Sequence, residues 1–153
     1  MPRELPQVTV RHLFTARMAR PKLEATLRAL VQAAVYLASA DGKVAELEVE
    51  TLVDDLRAVI ARSVGMENLD EYAKVSVLLD EARQGVQALA THGPAEFLAG
   101  IAAVLEGDFR RDALKIALDV VRSDGDISDA EIRALEALAT AVGLPASDVL
   151  EKL

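Results

Sequence analysis

The chain contains no cysteine and no tryptophan, and aromatic residues make up only 3% of its 153 positions. Without cysteine there is no disulfide, no thiolate metal site and no cysteine nucleophile. Apolar residues reach 52% all the same, so the core must be built from Leu, Val, Ile and Ala. Ala and Leu are strong helix formers, and alanine lets helix axes approach, so this palette favours close-packed helices. Histidine is scarce too, with only His12 and His92. No glycine-rich phosphate loop, His-Glu-x-x-His run or nucleophile elbow occurs. Catalysis therefore has little to stand on, and a non-enzyme is expected. The longest apolar tracts, such as 97–105, are far too short to span a bilayer. No basic stretch followed by an apolar one and a cleavage site opens the sequence, so a cytoplasmic location is expected.

Charge is unevenly spread. The net charge is −8, yet residues 1–22 carry +4, with Arg3, Arg11, Arg17, Arg20 and Lys22 against Glu4. The remainder carries −12. An acidic body disfavours nucleic acid as a partner. The basic segment lacks a dense Lys/Arg cluster and reads as a solvated or loosely packed arm. The length fits one domain with a respectable core. The expected division is an arm over 1–20 and a helical domain over 21–153.

Within the arm, Val8-Thr9-Val10 hints at strand alternation, while Leu13, Phe14 and Met18 fit one helical face. From Pro21 onward the pattern is helical throughout. Leu23, Leu27, Leu30, Ala34 and Leu37 form a first apolar stripe that ends at Asp41-Gly42. Glu24 and Arg28 are spaced for an i,i+4 pair. Leu52, Leu56, Val59 and Ile60 mark a second helix. A third runs from about Leu69 to Thr91, with Leu69, Tyr72, Leu79, Ala82, Val86 and Leu89 on its buried side. Gly85 within it marks a close helix crossing, and His92-Gly93-Pro94 is a stop-and-restart signal.

A fourth helix, over 95–106, is apolar almost all round and is expected near the centre of the fold. Asp108 caps a fifth helix that presents Leu114, Ala117, Leu118 and Val121. Arg110 and Arg111, beside Asp108 and Asp112, read as its solvated, charge-paired start. Ile132, Leu135, Leu138 and Val142 line a sixth, closed by Gly143. A short last helix begins near Pro145 and packs Val149 and Leu150. The expected class is all-α, a single bundle of about seven helices.

One signature appears twice. Asp41-Gly42-Lys43-Val44-Ala45-Glu46-Leu47-Glu48 recurs 83 residues later as Asp124-Gly125-Asp126-Ile127-Ser128-Asp129-Ala130-Glu131. The flanks repeat as well: Ala34 aligns with Ala117, Val35 with Leu118, Leu37 with Val120 and Leu52 with Leu135. Two related hairpins suggest a pseudo-twofold bundle. The turns admit two readings. In the first they are helix punctuation. Gly42 and Gly125 terminate helices, Val44 and Ile127 anchor the turns, and Ser128 with Glu131 forms a capping box. In the second they offer carboxylates to a hard cation. Asp124, Gly125, Ile127 and Glu131 fall at the fifth, sixth, eighth and twelfth places of an EF-hand loop. The first and third places are Val120 and Arg122, or Leu37 and Ser39 in the other copy, so these are not EF-hands. A site would need both turns to converge. Asp119 and Asp126 enrich the second half, where the first has Tyr36 and Lys43. Carboxylate ligands suit Ca²⁺, Mg²⁺ or Mn²⁺.

The stretch from Ala117 through Asp119 to Asp126, then Glu131, then Ala141-Val142-Gly143-Leu144-Pro145, resembles the C-terminal half of the TerB-type tellurite-resistance family. Ala38-Ser39-Ala40-Asp41-Gly42 through Glu48 resembles its N-terminal half. The likeness covers 21–153. It implies an all-helical, pseudo-symmetric domain with an acidic metal-binding cluster. It also implies a bacterial role in resistance to tellurium oxyanions and other chemical stress, beside membrane-associated protein partners. By position, the implied metal ligands are Asp41 and Glu48 from the first turn and Asp124 and Glu131 from the second, with Asp126 and Asp119 as weaker additions. TerB-like domains also serve as modules in other settings, including co-chaperones. A metal-free helical interaction scaffold is the alternative function.

Overall fold

A computed structural model describes residues 20–40, 42, 49–64, 74–122, 125–145 and 147. They form six helices: α1 Arg20–Ser39, α2 Val49–Val64, α3 Val75–His92, α4 Pro94–Val104, α5 Phe109–Arg122 and α6 Asp129–Ala141. No strand occurs among the described residues. The short helix expected after Pro145, and Leu69 and Tyr72 of the expected third helix, lie outside them. The described part of that third helix begins at Val75, behind Lys74 in an extended conformation.

Contacts far apart in sequence set the direction of each helix. Arg62 of α2 pairs with Asp112 early in α5, while Asp55 meets Lys115 and Asp119 later in α5, so α2 and α5 are antiparallel. Arg28 Nε donates to Glu81 Oε2 at 2.9 Å and Val35 lies against Gly85, so α1 and α3 run the same way. Tyr36 stacks on Phe97 while Lys22 reaches Glu106, so α4 opposes α1. The end of α1 lies by Ala134, and the end of α6 lies by Leu105. The six helices thus alternate up and down. The links leaving α1, α3 and α5 share one end, termed the turn end. The start of α1 and the loop between α4 and α5 lie at the other.

The helix at the centre is α1, which packs against all five others and most extensively against α5. Its buried side chains extend beyond the expected stripe to Ala29, Val31, Ala33 and Val35. Both α1 and α5 bury small residues (Ala33, Ala34, Ala113, Ala117), which let neighbouring axes approach.

The expectation of a central α4 is corrected. Phe97, Leu98 and Ile101 are buried, but Ala95, Ala99, Gly100 and Ala103 face outward. Four of its eleven residues are alanines, which count as apolar but cost little when exposed and release little when buried. The buried face of α3 also differs from expectation. It runs through Leu78, Ala82 and Gly85, and Val86 is 36% exposed. Gly85 lies on that face against α1. A Cβ there would stand 3.5 Å from Val35 Cγ2, an ordinary van der Waals contact, so the two helices pack closely at this point.

Arg110 likewise departs from the solvated role expected of it. The side chain is half-buried: Nε donates to Leu105 O and Nη1 to Val142 O, both at 2.9 Å. These carbonyls end α4 and α6, where the last backbone acceptors of a helix lack partners of their own. One guanidinium therefore ties two helix termini to the start of α5.

Candidate functional site

The repeated turns lie where α1 and α5 stop. Gly42 has φ +80° and Gly125 φ +111°, the left-handed region a helix end uses and side chains resist. Gly42 N–H donates to Ser39 O and Gly125 N–H to Arg122 O. Beyond the second turn the capping box is fully formed. Ser128 Oγ accepts from Glu131 N–H at 3.1 Å, and Glu131 Oε1 accepts from Ser128 N–H at 2.9 Å. Ile127 packs on the core, as an anchor should.

Of the six candidate ligands, Asp41, Glu48 and Asp124 lie outside the described residues, as do Lys43, Val44 and Ala45. Asp126 is exposed on the second turn. Glu131 is only 6% exposed, with one carboxylate oxygen committed to the cap. Asp119 faces the seam between α2 and α5, where Lys115 Nζ donates to its Oδ2 at 2.6 Å. A cation at Asp119 would have to displace that ammonium. Among the described residues no three acidic or histidine side chains gather as a metal would require. A cation at the turn end would need Asp41, Glu48 or Asp124 beside Asp126 and Glu131.

The seam holds a group that the sequence pattern does not single out. Asp55, on α2, lies within hydrogen-bonding reach of Asp119 and 3.7 Å from Lys115 Nζ. Its Oδ2 is buried and meets no donor among the described residues. Burial first, then contact with Asp119, pushes the Asp55 carboxyl up to about 7. Burial also acts to raise Asp119, but the hydrogen bonds from Asp55 and Lys115 outweigh it and hold Asp119 below its ordinary value. The pair therefore shares one proton, resident on Asp55. Lys115 is held in its charged form chiefly by its bond to Asp119.

The sign of the pH effect follows. Asp55 holds a proton in the folded state that the unfolded chain releases near 3.8. Its contribution to stability is full below that value and is lost as pH rises through about 7. Asp119 acts oppositely, losing its contribution as pH falls below the ordinary aspartate range. Asp55→Asn keeps a donor toward Asp119 and cannot ionise. Urea denaturation should find the variant more stable than the parent at pH 8, by about 1–2 kcal/mol. The gain should shrink at pH 5. An equal difference at both values would contradict the shared proton.

Two open depressions lie among the described residues. One, of about 260 Å³ at the turn end, is lined by Tyr36, Ser39, Ala40, Leu89, Pro94 and Ala134. Burial raises the Tyr36 hydroxyl above its ordinary pKa, so it is a neutral donor there. The other is a trough of about 760 Å³ between α4 and α6, floored by Leu98 and alanines and edged by Arg133, Glu136 and Thr140. Among the described residues no helix is long and apolar enough to cross a membrane. No family model, curated protein or solved structure matches the chain.

Proposed function

We propose that this chain is a TerB-like, non-catalytic stress-response domain of the cytoplasm. In this reading it gathers a divalent cation at the turn end and works through protein partners, some of them membrane-associated. Tellurium oxyanions are the type of stress that the sequence resemblance implies. The observation that carries the reading is the shared direction of α1 and α5. Each runs into an Asp-Gly turn, and the described flanks of both turns lie at the same end: Ser39 by Ala134, and the seam residues Asp55 and Asp119 near the beginning of α2 and the end of α5. The buried pairs Ala34 and Ala117, Val35 and Leu118, Leu37 and Val120, and Leu52 and Leu135 give further support to a repeat. Asp41, Glu48, Asp124, Asp126 and Glu131 are the carboxylates that would hold Ca²⁺, Mg²⁺ or Mn²⁺. Bound there, the cation would supply a cross-link between the two hairpins.

Chelator-stripped protein titrated with Ca²⁺ or Mn²⁺ tests this. A cation at a hundredfold its dissociation constant stabilises by about 2.7 kcal/mol. For a chain of this size that amounts to a rise in melting temperature of roughly 5–10 °C. The double variant Asp124→Asn, Glu131→Gln should lose the rise, while the introduced glutamine amide still serves the cap. No shift at millimolar cation would overturn the metal reading.

A second reading is favoured by a separate observation. The capping box already uses Glu131, and Lys115 already neutralises Asp119. On that account the turns are structural, and the domain is a metal-free interaction scaffold of the co-chaperone or adaptor kind.

A further inference from the structure

We draw no further inference here: the strongest candidate, the side-chain cluster of Asp55, Asp119 and Lys115 in the seam between α2 and α5, belongs to the site already described.

Discussion

Truncation of Leu30 to alanine is expected to lower the melting temperature by roughly 10 °C. Leu30 is fully buried at 0% exposure, midway along the helix that every other helix touches. Two costs combine at such a position: the transfer energy of the lost carbons and the cavity they leave. Where neighbours can collapse, the second cost is small; here they cannot. Movement toward the void by one helix would pull it from its other contacts on α1. The expected loss is therefore about 3–4 kcal/mol, toward the middle of the range for buried leucines. At about 2–4 °C per kcal/mol for a chain of this size, the stated drop follows. Leu30→Met preserves volume and should cost less than about 1.5 kcal/mol. A Leu30→Ala loss below about 1 kcal/mol, by urea or thermal denaturation, would mean that α1 is not the hub described.

Arg110→Ala is the second large effect, expected at about 2–3 kcal/mol. The change removes two charge-assisted hydrogen bonds, to Leu105 O and Val142 O. Those acceptors sit at helix ends, where loss of the donor leaves them without an internal substitute. Solvent can reach this region and satisfies part of the deficit, which keeps the figure below the sum for two buried bonds. Arg110→Lys separates charge from geometry. A lysine is a compact point charge and cannot present a planar fork to two carbonyls at once. Equilibrium unfolding should therefore show lysine recovering less than half of the loss. Full recovery would reduce the role of Arg110 to its charge.

The features legible in the sequence were local ones. Helix limits at Gly42, His92-Gly93-Pro94, Gly125 and Gly143 could be read because each depends on a residue that a helix cannot readily continue through. The capping box could be read because Ser128 and Glu131 lie three residues apart and act on each other. Helix rotation and rank could not. The third helix turns Val86 outward and sets Gly85 against Val35, a contact between residues 50 positions apart. The fourth helix looked central because apolar periodicity counts alanine and leucine alike, although a leucine gains far more from burial. Asp55 gave no signal at all. An acid at the edge of a leucine stripe looks like any solvated residue until Lys115 and Asp119 arrive from another helix. The six acids of the repeated turns were recognisable as a group, but only Asp119, Asp126 and Glu131 fall within the described residues, and two of those are already engaged.

The alternation of helix directions has an electrical consequence at the turn end. There α1, α3 and α5 finish while α2, α4 and α6 begin, so three negative macrodipole poles meet three positive ones. The backbone therefore contributes little net potential to that surface. Its polarity is left to side chains, which titrate where backbone poles do not. Whatever ion or partner approaches this end meets a field set mainly by charged side chains, which dissolved salt at physiological strength will weaken within about 8 Å.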